Sequence, residues 1–196
     1  MFHFRYFFPF GYYQLENLPE VAVIIPYRDR ESHLPVLLNN MHSFLTKQRL
    51  DYAIIVVEQV ANQTFNRAKL FNVGYVEAKK LYDWECYVFH DVDLLPENDR
   101  NLHTCPTKNP RHLAVAVDKF HYKLLYAKMF GTSTAFTRTQ FEKVNGFSNW
   151  YWGWGGEDDD MYTRVNLAGY KVDRYNAGIA RYTMIRHGVG KGNPVN

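Results

Sequence analysis

The sequence has no run of about 18 apolar residues, so no segment is long enough to cross a bilayer as a helix. It has no Gly-x-x-x-x-Gly-Lys-Ser/Thr phosphate loop, and no Gly-x-Gly-x-x-Gly follows a strand. Both absences argue against a P-loop kinase and a dinucleotide-dependent dehydrogenase. Charge of one sign is scarce: 23 basic against 20 acidic residues leave a net charge of +3, which gives no electrostatic footing for nucleic acid. There is no internal repeat, low-complexity tract or linker, so 196 residues read as one principal domain over 21–196 behind an aromatic segment over 1–20. That segment is interrupted by His3, Arg5 and Pro9 and lacks a signal-cleavage site, so it reads as a poorly ordered tail or a fragment boundary.

Cysteine is also scarce. Cys86 and Cys105 stand nineteen positions apart on either side of Asp91-Val92-Asp93. Two thiols do not fix the redox compartment, although a bridge between them would tie down the segment they enclose. Asn62-Gln63-Thr64 is a glycosylation acceptor pattern and a weak pointer to the secretory route.

What is abundant is apolar and aromatic. Apolar residues make up 46% of the chain and aromatic residues 17%, with 15 Tyr and 14 Phe, enough for a sizeable core and for a flat sugar-binding surface. Val21-Ala22-Val23-Ile24-Ile25, ended by Pro26, predicts a strand buried on both faces, and Ala53-Ile54-Ile55-Val56-Val57 repeats the pattern. Leu34, Leu37, Leu38, Met41 and Leu45 recur at helical spacing and predict a helix over 31–49. A second helix is predicted over 65–82, and a third strand over 86–89. The alternation predicts an α/β fold with a mainly parallel central sheet. The second half is less regular, with short apolar runs at 112–117 and 134–137 and a helix over 157–168. In parallel sheets ligands gather beyond the carboxyl ends of the strands, where Tyr27-Arg28-Asp29-Arg30, the segment 59–67 and His90 to Asp93 all fall.

The densest signal is Tyr151-Trp152-Gly153-Trp154-Gly155-Gly156-Glu157-Asp158-Asp159-Asp160. Four acids could simply complement the positive end of a helix. That leaves the tryptophans and glycines without a purpose, so the block reads as an acidic site beneath a mobile aromatic cover. On residues alone its carboxylates are the first choice for a metal. Asp91-Val92-Asp93 offers a second choice, two hard oxygen ligands on one side of an extended segment, suited to Mg²⁺ or Mn²⁺ carrying a phosphate. Arg28, Arg30 and Arg67 supply guanidinium forks matched to a diphosphate. Met184 reads as core, and His187 is undecided.

These motifs together resemble the β-1,4-galactosyltransferase family of inverting, metal-dependent Golgi enzymes. The resemblance rests on Pro26-Tyr27-Arg28-Asp29-Arg30, Phe65-Asn66-Arg67-Ala68-Lys69-Leu70, Asp91-Val92-Asp93, Trp152 to Asp160 and Met184-Ile185-Arg186-His187, in order, and runs from about residue 21 to 187. It implies a GT-A type sandwich that binds a UDP-sugar at the strand ends. Residues 21–196 would form the catalytic domain, truncated at its carboxyl end. Pro26, Tyr27, Arg28, Asp29, Arg30, Phe65, Asn66, Arg67, Val92, Asp93, Met129, Trp154 and Gly156 would line the donor site, with Trp154 as its cover. Asp93, Met184 and His187 would bind Mn²⁺, which overrules core for Met184 and moves the metal away from the four acids. Asp158 would be the general base, with Glu157 and Asp159 holding a GlcNAc-terminated acceptor for β-1,4 transfer in glycoprotein or glycolipid synthesis.

The sequence departs from the family pattern at several positions. Tyr27 and Asp29 stand where Phe and Asn are usual, and Asp29 adds negative charge near the diphosphate. Thr132 replaces the second glycine of a Phe-Gly-Gly segment. Met129 stands where galactose-specific members carry tyrosine beside the sugar's C2, which leaves room for an N-acetyl group and makes UDP-GalNAc, or both donors, the expectation. The chain ends at Asn196 within what the family uses as a closing loop and lacks its amino-terminal type II anchor, so weak donor binding and poor transfer are expected of it. Two alternatives remain, a xylose-directed galactosyltransferase of proteoglycan linker synthesis and an inactive sugar-binding module.

Overall fold

Two apolar faces on one strand explain the middle of the molecule. Val21, Val23 and Ile25 belong to one core cluster with Leu34, Leu37, Met41, Phe44 and Leu45, whereas Ala22 and Ile24 belong to a second with Leu70, Phe71, Tyr75 and Ala78. Side chains alternate across a strand, so a strand sandwiched between two helices must be apolar at every position. In this computed structural model, which describes residues 2–9, 18–60 and 63–188, the elements follow from that arrangement.

From the amino end they are β1 (Phe2–Phe7), β2 (Glu20–Tyr27), α1 (His33–Lys47), β3 (Asp51–Gln59), α2 (Arg67–Leu81), β4 (Cys86–His90) and β5 (Leu94–Pro96). The second half adds β6 (Arg111–His112), β7 (Ala116–Val117), a 3-10 turn (Asp118–Phe120), β8 (Ser133–Thr137), α3 (Arg138–Lys143), α4 (Glu157–Leu167), β9 (Asp173–Arg174) and β10 (Arg181–Met184). The larger sheet has the order β1-β3-β2-β4-β8-β6-β9, and the smaller β5-β10-β7. The central β3-β2-β4 pairs are parallel, as the alternating pattern predicted, while β1 on β3 and β8 on β4 are antiparallel, so the sheet is mixed.

Helix α2 sits close on the sheet because it carries Gly74 there. A Cβ at that position would fall 2.3 Å from Ile24 Cγ2. Asn66 caps the helix, its side chain accepting from the Lys69 amide. The cysteines form a disulfide that joins the start of β4 to the segment before β6.

Three local expectations change. The aromatic start is not a loose tail: Phe2–Phe7 pairs with β3 in register from Phe2 opposite Gln59 to Phe7 opposite Ile54. Pro26 does not end its strand, since β2 continues to Tyr27. Pairing of β2 with β4 stops at Ile24, so by Pro26 one edge of the strand is open and a missing N–H is tolerated. The apolar run over 112–117 splits into β6 and β7, which lie in different sheets. Asn62 lies outside the described residues.

Candidate functional site

Arg67, the first residue of α2, gathers three carboxylates. Its Nε donates to Asp91 Oδ1 at 2.5 Å, and its Nη1 donates to Asp158 Oδ1 at 2.8 Å and Glu157 Oε1 at 3.1 Å. The guanidinium also lies 4.6 Å from the centroid of the Phe71 ring, one helical turn on. With its side chain only 15% exposed, this is a charge cluster in which removing one partner costs on the order of 3–5 kcal/mol. Burial works against the charged guanidinium, but Asp158, Asp91 and Glu157 outweigh it and hold its pKa well above the usual value. Burial pushes Asp91 up against the pull of Arg67. It pushes Asp158 up to about 6, Arg67 again opposing and Glu157 and Asp159 adding to the rise.

The four consecutive acids do not act as one metal site. Glu157 and Asp158 turn to Arg67, Asp159 accepts from the Tyr126 hydroxyl at 3.0 Å, and Asp160 pairs with Arg164 at 2.5 Å. Successive helical residues point about 100° apart, so four neighbours on α4 cannot share one small ligand. Asp158 keeps 30% of its side chain exposed while Arg67 holds it from behind. Its carboxylate rests on Gly131, where an added Cβ would fall 2.0 Å from Oδ2.

The second centre lies on the same segment as Asp91. His187 Nε2 is 2.9 Å from Asp93 Oδ2, and His187 Nδ1 is 3.2 Å from Arg30 Nη2. The His33 ring stands edge-on to His187 at 5.5 Å. Met184 ends β10 opposite Leu94, and the next amide, of Ile185, donates to the Asp93 carbonyl at 2.8 Å, so Met184 is brought beside the same turn. Among the described residues no three His, Cys, Asp or Glu side chains form a metal cluster. Asp93 and His187 are thus two ligands at most from this set, and Met184 lies beside them. The residues fit a cation: two ligand atoms at about 2.1 Å from an octahedral ion and at right angles stand about 3 Å apart, the Asp93–His187 spacing.

Around these two centres the expected donor-site residues divide. Arg28 donates to the Gln63 carbonyl, and its guanidinium lies 5.0 Å from the Phe65 centroid, forming a cation-on-aromatic shelf. Asp29 is exposed with φ 51°, a left-handed backbone that Asp tolerates better than most residues, and its carboxylate is 3.7 Å from Arg28 Nε. Tyr27 and Val92 are core residues and Pro26 is buried, so their side chains serve packing. Asn66 is 1% exposed; besides capping α2 it donates to the Asn149 carbonyl at 2.8 Å. Trp154 is 71% exposed, flanked by Gly153, Gly155 and Gly156 with φ between 91° and 100°. The Gly153 amide is tied to the Phe65 carbonyl at 2.8 Å, which joins the aromatic block to the Arg28 shelf. Met129 is 8% exposed.

Sequence reasoning did not single out Tyr126 or Gly131, and it took Asp91 as half of a metal pair. A glycine before Thr132 was the only local signal for the second of these. The others depend on contacts between distant segments.

Residues 13–106 match the N-terminal region of glycosyl transferase group 7, and residues 111–188 match the N-terminal domain of galactosyltransferase. The chain is 56% identical over 183 residues to β-1,4-galactosyltransferase 4 of Cricetulus griseus, covering 93% of this chain and 53% of that protein. It is 52% identical over 181 residues to human β-1,4-galactosyltransferase 3, covering 92% and 46%. It thus spans about half the length of the curated relatives it matches. Among solved structures, a mutant Drosophila β-1,4-galactosyltransferase 7 in complex with manganese, UDP-Gal and xylobiose superimposes with a TM-score of 0.71 at 35% identity, covering 80% of this chain and 65% of that one.

Proposed function

The chain belongs to glycosyl transferase group 7, the family of the β-1,4-galactosyltransferases, and from that premise we propose that it transfers galactose from UDP-galactose in β-1,4 linkage to a terminal GlcNAc. Its fold is of the GT-A type. The observation that carries the reading is Arg67, which holds Asp158 and Asp91 at once and so ties the proton acceptor to the Asp93–His187 centre.

Asp158 is the group that takes the proton from the acceptor hydroxyl as its oxygen attacks the anomeric carbon. The bond to the diphosphate breaks on the opposite side, its electron pair leaves with UDP, and the anomer inverts. Arg67 keeps Asp158 oriented, and Gly131 leaves the carboxylate its place. With a pKa near 6, Asp158 is ionised at neutral pH yet basic enough to accept a proton. Asp159, fixed by Tyr126, and Glu157 border the acceptor. Arg28 and Arg30 are placed to meet the diphosphate, and Trp154 closes over the donor. Asp93, His187 and Met184 would hold Mn²⁺, which supplies positive charge to the departing diphosphate when bound. The Cys86–Cys105 disulfide supports a lumenal, oxidising location such as the Golgi.

The test is release of UDP from UDP-galactose with Mn²⁺ and GlcNAc. It is expected to depend on all three and to drop on the order of 10²–10⁴-fold in Asp158→Asn. Release unchanged by that substitution sinks the assignment of the base. A second donor, UDP-GalNAc, is favoured by buried Met129, which brings no hydroxyl to the sugar's C2 side. Met129→Tyr is expected to raise the preference for UDP-galactose.

A further inference from the structure

Arg174, on β9, lies outside every motif described above, yet its guanidinium reaches the loop that carries Met129. Nη2 donates to the Met129 carbonyl at 2.8 Å and to the Ala127 carbonyl at 3.0 Å. Nε donates to His112 Nδ1 at 3.3 Å, from the neighbouring strand β6 with which Arg174 is in parallel register. His112 accepts because burial, and then the Arg174 charge, keep its ring neutral. Its ring stands edge-on to Phe130 at 5.9 Å. One planar fork therefore fixes two carbonyls and an imidazole around the segment 127–130, a geometry that a single ammonium point cannot reproduce.

That segment touches each side of the proposed site. Tyr126 reaches Asp159, Met129 stands where the donor sugar is expected, and Gly131 supports Asp158. The Thr132 carbonyl that follows accepts from the Asp91 amide at 3.0 Å. Arginine hydrogen bonds to carbonyls are charge-assisted and stronger than neutral ones. Burial disfavours the charged form of Arg174, so an arginine is retained there at a cost. We propose that Arg174 is the positioning residue that sets the 126–131 loop, and through the placement of Met129 sets the choice between galactose and N-acetylgalactosamine donors. The inference rests on the donor-site reading under the preceding heading.

The experiment is calorimetric titration of the 196-residue chain with UDP, UDP-Gal and UDP-GalNAc in Mn²⁺, repeated for Arg174→Met and Arg174→Lys. Binding is read rather than turnover, so activity is not required. In Arg174→Met the ratio of the two sugar-nucleotide affinities is expected to shift at least threefold while UDP itself binds within twofold of the unaltered chain, because Arg28, Arg30 and the Asp93 turn are untouched. Arg174→Lys keeps the charge and one bond and is expected to shift the ratio in the same direction by less. Should the methionine variant lose cooperative unfolding, the lysine ratio decides, with any shift beyond its error supporting the role. An unchanged ratio, or a loss shared equally by UDP and both sugars, overturns it. Failure of the unaltered chain to bind UDP at all overturns the donor-site reading and this inference together, a result distinct from an unchanged ratio.

Discussion

His187 Nε2 and Asp93 Oδ2 lie 2.9 Å apart although 94 positions separate them in the chain. The contact is a hydrogen bond without metal, and the same spacing suits two ligands of one divalent ion. An ion held by both would sit beside the line joining the two atoms, displacing the shared proton.

Manganese is therefore expected to stabilise the fold. At a hundred times its dissociation constant the gain is about 2.7 kcal/mol, seen as a higher melting temperature that a chelator reverses. His187→Ala is expected to abolish the shift. A melting temperature indifferent to manganese in the unaltered chain counts against the site.

Gly131→Ala tests the seat of Asp158. An added methyl would meet Oδ2 at 2.0 Å, and the backbone at Gly131 is not left-handed, so the damage is contact alone. A displacement of about 1 Å is expected to lower kcat roughly 10²-fold. The affinity for UDP should stay close to that of the unaltered chain, measured by titration; equal losses in both would point to a collapsed site instead.

The helical and parallel part of this fold was legible because burial on both faces leaves a local mark. Val21 to Ile25 and the leucines of α1 carry their partners' geometry in their own spacing. β1 was not legible: Phe2, Phe4 and Phe7 pack on the two cores, but His3, Arg5 and Tyr6 between them make the run look like a tail. Arg5 is explained by Glu58 on the neighbouring strand, at 2.6 Å, and by the Tyr27 ring 5.3 Å from its guanidinium. In the site, the family resemblance pointed to Asp158, Asp93 and His187, whereas the Arg67 cluster spans up to 91 positions and leaves no periodic trace.

Acid should weaken the protein through three buried histidines, His90, which burial lowers to about 4, and His103 and His112. Burial lowers His103 and His112 to about 3, so the folded chain stays unprotonated at all three sites while the unfolded chain binds protons below about 6.5. Stability from these groups is thus complete above that pH and lost as pH falls toward about 4 for His90 and about 3 for the other two, by about 1.4 kcal/mol per pH unit for each histidine. Urea unfolding at pH 6.5, 5.5 and 4.5 reads the slope. His112→Gln is expected to flatten it by one histidine's share, and an identical slope would show that His112 is protonated in the fold.

Thr132 occupies a left-handed backbone position at φ 63°, a conformation that favours glycine. A β-branched residue is strained there by roughly 1–2 kcal/mol, partly offset by the freedom that glycine loses on folding. Thr132→Gly is expected to raise unfolding stability by about 0.5–1 kcal/mol in urea, even though the 2.6 Å bond from Thr132 Oγ1 to the Gly131 carbonyl is lost. A fall in the urea midpoint would mean that this bond outweighs the strain.

The disulfide between Cys86 and Cys105 makes a closed ring of the stretch that contains Asp91 and Asp93. Closing a loop of that size restricts the unfolded chain by about 3 kcal/mol. The choice of expression host thereby becomes a biochemical variable. Material made in a reducing cytosol has an identical sequence but an open ring, and two preparations of the same chain would differ in how firmly they present the aspartates to a cation.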